Sequence, residues 1–224
     1  MVRKIEINGM QCLYCPAQSR GKIIYILYPM DALAQWIEPA ARHFGADIVV
    51  ITGMDWESVF SPWPAKGVPA GSEDFRGQSP AFLRLLQDTV IPRIESALGY
   101  GTEAPERTLT GVSMSGLFAL WQWIECDTFA NIASLSGSFW YEGFVDWLKS
   151  RPLPAKTGKA YFLLGRQESH SPVKAFNTVG ADMQEIVTLL HDAGIRTRYD
   201  IVPGNHYANP IPRLNHALTE ITSN

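Results

Sequence analysis

Leu109-Thr110-Gly111-Val112-Ser113-Met114-Ser115-Gly116-Leu117-Phe118-Ala119-Leu120 is the stretch that decides how this chain is read. Residues 107–112 run apolar into a turn of small side chains and read as the end of a buried strand. Residues 116–124 follow without proline and read as a helix. A serine on so sharp a strand-to-helix turn sits in a strained backbone conformation. Strand and helix can close on each other only if the positions two before and two after the serine are small. Gly111 and Ser115 meet that demand around Ser113. The same turn aims the Met114 amide and the positive end of the helix at the space above Ser113, and both favour an oxyanion there. Ser113 is therefore the candidate nucleophile and Met114 a candidate oxyanion donor.

Outward from this turn, apolar runs and helical periods alternate. Residues 22–28 form a near-continuous β-branched and aromatic run, the pattern of a strand buried on both faces. A helical period over 31–44 follows and stops at Gly45; residues 47–52 read as the next buried strand. The stretch 53–80 is rich in Gly, Pro and Trp and has no clear period, so it reads as a long functional loop. A helix over 81–98, kinked at Pro92, precedes the 107–112 strand. Further strands are read at 131–135, 159–164 and 196–202. Further helices are read at 141–149, at 173–193 (ended by Gly194) and at 209–221. Residues 2–7 alternate as an edge strand. The expected architecture is α/β: a mostly parallel central sheet with helices on both faces, one domain over 1–224, and no separate lid domain.

Composition narrows the function. The 224 residues are 46% hydrophobic and 18% charged, enough for a large core. A net charge of −3 without a basic stripe argues against nucleic acid as a partner. No apolar run is long enough to span a bilayer, and residues 1–10 lack the apolar core of a secretory signal, so no membrane partner and a cytoplasmic location are expected. Three cysteines fit a reducing compartment. Cys12 and Cys15 form a lone Cys-x-x-Cys without a second ligand pair, so they are read as ordinary thiols. No metal and no cofactor are expected.

In such a sheet the ligand lies beyond the carboxyl ends of the strands, and that selects the partners of Ser113. His43, His191 and His216 fall inside helices, and His170 stands at some distance past the 159–164 strand. His206, in Pro203-Gly204-Asn205-His206-Tyr207, stands just past the last strand and is the candidate general base. Glu168, in Gly165-Arg166-Gln167-Glu168, is the candidate acid; Asp146 lies in a helix and is disfavoured. The chain order Ser113, Glu168, His206 is the Ser-acid-His order of α/β-hydrolases. Trp56, Phe60 and Trp63 in the long loop, and Phe139, Trp140 and Tyr141 after the 131–135 strand, leave strands that flank the nucleophile. Trp63, Trp140 and Tyr141 are the candidate substrate walls, with core packing as the competing role.

Several further segments carry a resemblance. Tyr28-Pro29-Met30-Asp31-Ala32, Phe60-Ser61-Pro62-Trp63, Phe75-Arg76-Gly77, Ile91-Pro92-Arg93-Ile94-Glu95, Ser134-Leu135-Ser136-Gly137-Ser138-Phe139-Trp140 and Gly204-Asn205-His206 stand in order along the chain. In these the sequence resembles the esterase D-like branch of the α/β-hydrolases, in particular the siderophore (enterochelin-type) esterases. The resemblance implies an α/β-hydrolase fold, Ser113 as nucleophile, His206 as base and Glu168 as acid. It also implies the Leu33 and Met114 amides as the oxyanion hole. The chain departs from the usual pattern at Asp31-Ala32, where Asp-Gly is common, and at Ser115, where Gly is common, although mycolyltransferases of the same superfamily share a Ser-Met-Ser-Gly elbow. The 1–21 segment is too short for the extra N-terminal domain of some siderophore esterases. The expected activity is hydrolysis of a small-molecule carboxylic ester through an acyl-enzyme. The alternatives are an acyltransferase, a thioesterase, or an inactive hydrolase-like binding protein. A homo-oligomer is compatible with all of them.

Overall fold

The computed structural model describes residues 1–29 and 33–223. Its strands are β1 (Arg3–Ile7), β2 (Met10–Cys15), β3 (Lys22–Leu27), β4 (Asp47–Thr52), β5 (Pro64–Ala65), β6 (Phe75–Arg76), β7 (Glu106–Val112), β8 (Asn131–Leu135), β9 (Lys159–Gly165) and β10 (Arg196–Val202). Eight of them form one sheet in the order β1-β2-β4-β3-β7-β8-β9-β10, and β5 and β6 pair separately. From β4 to β10 every pairing is parallel; β1 and β2 add an antiparallel edge. This is the expected mostly parallel sheet of an α/β-hydrolase.

The helices are α1 (Ala34–Phe44), α2 (Trp56–Val59), α3 (Ser79–Leu85), α4 (Ile91–Leu98), α5 (Met114–Glu125), α6 (Phe144–Lys149), α7 (Val179–Asp192) and α8 (Pro210–Thr222). Alternate residues of β3 face opposite sides. Ile23, Tyr25 and Leu27 join α3 to α7 in one apolar core, while Ile24 and Ile26 meet α1 and α8 in the other. Residues 114–124 of α5 are buried on every side, which explains why its sequence shows no polar face.

The order of the strands fixes where a ligand can lie. After β3 the chain moves to β4 on one side, and after β7 it moves to β8 on the other. The carboxyl ends of β3 and β7 stand side by side, with Leu27 opposite Gly111. A crevice opens at such a reversal point. Ser113 follows β7 and Leu33 follows β3, so the two borders of the crevice carry the candidate nucleophile and one expected oxyanion donor.

Three readings of the sequence are corrected. Residues 10–15 form β2, which pairs with β1 and β4. Its turn is Asn8-Gly9, both at positive φ (51° and 77°), the two-residue hairpin that Asn-Gly favours. Cys12 belongs to one core and Cys15 to the other, so the sheet itself separates the two thiols. Burial pushes the Cys12 thiol up to about 11. The 81–98 helix is three pieces: α3, a π-helical turn over Leu86–Val90, and α4. Pro92 has no N–H to give to the preceding turn, and the wider turn just before it absorbs the mismatch. The 173–193 helix begins only at Val179, after a 3₁₀ turn over Lys174–Thr178. Among the described residues no helix is long and apolar enough to cross a membrane.

Candidate active site

Ser113 stands between β7 and α5 with φ 56° and ψ −124°, a conformation that non-glycine residues rarely adopt. Its neighbours hold it there. The Ser113 N–H donates to Leu135 O at the end of β8, and its carbonyl accepts from Ser138 N and from Gly116 and Leu117 in α5. A Cβ at Gly111 would lie 2.2 Å from the Ser115 carbonyl oxygen, so only glycine lets strand and helix close. Gly111→Ala is expected to cost on the order of 4 kcal/mol or more, read as a shifted urea midpoint. An unshifted midpoint would mean that strand and helix have room to part.

Ser115 replaces the usual glycine and makes use of its hydroxyl. Ser115 Oγ accepts from Val112 N at 2.8 Å and donates to Leu27 O at 2.8 Å, with Val112 O also in reach at 2.9 Å. The buried side chain therefore ties the elbow to the end of β3.

Glu168 lies in the 3₁₀ turn Glu168–His170 just past β9. Its Oε1 accepts from Ser136 Oγ (2.7 Å) and Gly165 N (2.6 Å), and Arg213 Nη1 stands at 3.4 Å. Its Oε2 lies 2.8 Å from His206 Nδ1. Burial alone would raise this carboxyl, but the hydrogen bonds of His206 and Ser136, the histidine charge and the Gly165 amide outweigh burial. The net effect holds the carboxyl below its ordinary value. A carboxylate can only accept, so Nδ1 carries the proton and Nε2 is left as the basic nitrogen. Backbone bonds from Arg166 N to Val202 O and from Gln167 N to Gly204 O tie the turn bearing Glu168 to the loop bearing His206.

The structure thus brings Glu168 and His206 together. Ser113 Oγ instead meets Ser138 Oγ at 3.3 Å, its one side-chain partner among the described residues. Contacts of this kind are commonly loose before substrate binds. The Met114 amide finds no acceptor among the described residues and is free to serve an oxyanion. Leu33 is buried at the head of α1; Asp31-Ala32, just before it, lies outside the described residues.

Among the aromatic residues the expected roles divide. Trp140 is half-buried between Phe75 (6.2 Å) and Phe176 (4.6 Å). Trp63 is half-buried, packs near-parallel to Phe144 and donates from Nε1 to Glu142 O. Tyr141, expected at the wall, is a packing residue: its ring is 2% exposed and its hydroxyl donates to Trp63 O. The 53–80 stretch is not shapeless, since it holds α2 and the β5–β6 pair.

Asp200, His216 and Glu220 place one donor atom each within 4.8 Å of one another. Arg198 pairs with both carboxylates and Tyr161 donates to Asp200, so a guanidinium already takes the place a cation would fill.

Sequence reasoning passed over Ser136, Ser138 and Arg213. The two serines lay within the 134–140 segment already noted. The signal for Arg213 was a charge at a core position of α8, in register with Leu214, Ala217, Leu218 and Ile221.

The mostly parallel sheet flanked by helices has the architecture of an α/β-hydrolase. The chain belongs to the Esterase family, whose model matches residues 26–221. The uncharacterized protein YbbA of Bacillus subtilis (strain 168) is 27% identical over 124 residues, 54% of this chain and 50% of that protein. The match therefore spans about half the length of that relative. Among solved structures, the chain resembles an IroE-like serine hydrolase from Shewanella oneidensis (TM-score 0.76, 14% identity, 98% of this chain and 79% of that one). It also resembles the siderophore hydrolase EstB from Aspergillus nidulans (TM-score 0.76, 16% identity, 99% and 95%).

Proposed function

We propose that this chain is a serine carboxylesterase that works through an acyl-enzyme on Ser113. The observation that carries the reading is the Glu168–His206 pair, formed past the carboxyl ends of the same sheet whose β7 ends in the strained Ser113 turn. In the reaction His206 Nε2 takes the proton of Ser113 as Oγ attacks the ester carbonyl, and Glu168 fixes the tautomer and offsets the imidazolium charge. The Met114 amide, with Leu33 as its expected partner, holds the tetrahedral oxyanion. His206 then gives the proton to the leaving alcohol, and water, activated by the same base, cleaves the acyl-enzyme. No cofactor enters this sequence. Three free cysteines favour a reducing compartment, and the cytoplasm is the proposed location.

The substrate reading rests on the aromatic side chains near the crevice. Trp140 and Trp63 keep partial exposure, while Tyr141 holds the Trp63 backbone in place. Together they favour esters with an aryl or short acyl group. EstB of Aspergillus nidulans is named a siderophore hydrolase, so a siderophore ester belongs in the same substrate panel as aryl, alkyl and thio esters.

A fluorophosphonate probe tests the class: covalent labelling of wild type and none of Ser113→Ala is expected, and a wild-type protein that takes no label sinks the reading. Turnover of thioesters alone, or acyl transfer to an added alcohol in preference to water, would move it to a thioesterase or acyltransferase. Trp140→Ala is expected to raise KM several-fold with kcat little changed, because a wall holds ground and transition state alike. An unchanged KM for phenyl esters would remove Trp140 from the wall.

A further inference from the structure

Behind Glu168, on the side away from His206, sits a buried cation that the triad does not require. Arg213 is on α8, and its side chain is 7% exposed against 4% for Glu168. Its Nη1 stands 3.4 Å from Glu168 Oε1, and its Nη2 donates to Pro203 O at 3.1 Å, in the loop that carries His206. Its Nε is buried with no partner among the described residues. Two glycines stand beside the guanidinium: a Cβ at Gly165 would lie 2.5 Å from Nη2 and 2.4 Å from Gly204 O, and one at Gly204 would lie 3.2 Å from Nη2 and 2.4 Å from the Ala208 Cβ. Burying a guanidinium with one donor unsatisfied is costly, and a neutral core residue would suit this helix face better. Two contacts that join the acid's turn to the base's loop give the charge a use.

We propose that Arg213 is a positioning residue of the hydrolytic site, clamping the Glu168 turn to the His206 loop and keeping the acid–base pair unprotonated further into the acidic range. The inference rests on the Ser113–His206–Glu168 reading. The other groups that face the pair are few. Ser136 and the Gly165 amide donate to Glu168. Tyr28, at the end of β3, is near enough to Arg213 to feel its charge, and burial holds its phenol above the ordinary value and thus neutral. Farther along α8, His216 is paired with Asp200, which Arg198 also holds. Arg213 is therefore the one fixed positive charge against Glu168 among the described residues. Removing it must raise the affinity of the pair for a proton, whichever partner takes it.

The test is the pH dependence of kcat/KM for phenyl acetate, followed by pH-stat in Arg213→Met and Arg213→Lys, with melting curves alongside. For Arg213→Met the acid limb is expected to move to higher pH by roughly half a unit or more, with kcat/KM at the plateau roughly ten- to a hundredfold lower. Arg213→Lys keeps the charge but not the two-armed clamp, so it should keep the wild-type limb at a reduced plateau. A folded Arg213→Met with the wild-type limb overturns the proposal, even if its plateau is lower, since that is what a purely structural arginine would give. Should Arg213→Met fail to fold, a shifted limb in Arg213→Lys overturns it instead. Failure of the triad reading is seen separately, as fluorophosphonate labelling that survives in Ser113→Ala.

Discussion

Ser113→Ala is expected to lower kcat by roughly 10⁴- to 10⁶-fold, with His206→Ala close behind and the double variant no worse than either. The equality follows from shared work. Without the base the hydroxyl is a poor nucleophile, and without the hydroxyl the base has no proton to take, so the losses do not add. Stability should change little, within about 1 kcal/mol. Among the described residues Ser113 Oγ has a single side-chain partner, Ser138 Oγ at 3.3 Å, and the positive φ of this position strains alanine as it strains serine. Ester turnover and the thermal midpoint, measured on the same preparations, check both halves. Substantial activity left in Ser113→Ala would point to another nucleophile. The nearest candidate is Ser138, whose own alanine variant would then be the inactive one.

What could be read from the sequence, and what could not, follows the range of the interactions involved. The Ser113 elbow was legible because its constraint is local: Gly111, Ser113 and Ser115 fall within five residues, and the steric demand acts between them. The parallel strands were legible because burial on both faces leaves a continuous apolar run, as in β3 and β4. β2 was passed over because Gln11, the cysteines and the following Pro16 read as a polar stretch, although the Asn8-Gly9 turn announced a hairpin. The Glu168–His206 pair was reached by rule rather than by pattern, from the positions of two loops past strand ends, and these lie 38 residues apart. Arg213 had no such rule. Its contact spans 45 residues, between a helix and a 3₁₀ turn, and nothing local to either tells that they meet. The aromatic residues show the same limit: Trp140 and Tyr141 are neighbours in sequence, yet one is half-buried and the other is buried against Trp63.

Glu168→Gln is expected to cost roughly 10²- to 10⁴-fold in kcat, and to do so at every pH. The reason lies in how the carboxylate is surrounded. Oε1 receives a hydroxyl from Ser136, an amide from Gly165 and the Arg213 guanidinium, while Oε2 receives His206 Nδ1. A glutamine has one accepting oxygen and one donating nitrogen. Three donors converge on the Oε1 place, so the oxygen must go there and the NH₂ must face His206. The imidazole then has to accept at Nδ1 and carry its proton on Nε2, where Ser113 needs a base. A wrong tautomer is not cured by alkali, so raising the pH should restore nothing, in contrast to a variant that only shifts a titration. Stability moves as well. Glu168 is held below its ordinary carboxylate value, so its contribution is full above the unfolded pKa and is lost as pH falls through the depressed folded one. The glutamine protein should lose that acid-side dependence, and at neutral pH it should melt lower, by on the order of 3 kcal/mol, because Arg213 is left buried without a counter-charge. Pairing the change with Arg213→Met should return part of that stability and none of the activity. Wild-type kcat in Glu168→Gln would move the acid to another residue, and an unchanged melting point would mean that Arg213 draws its compensation from elsewhere.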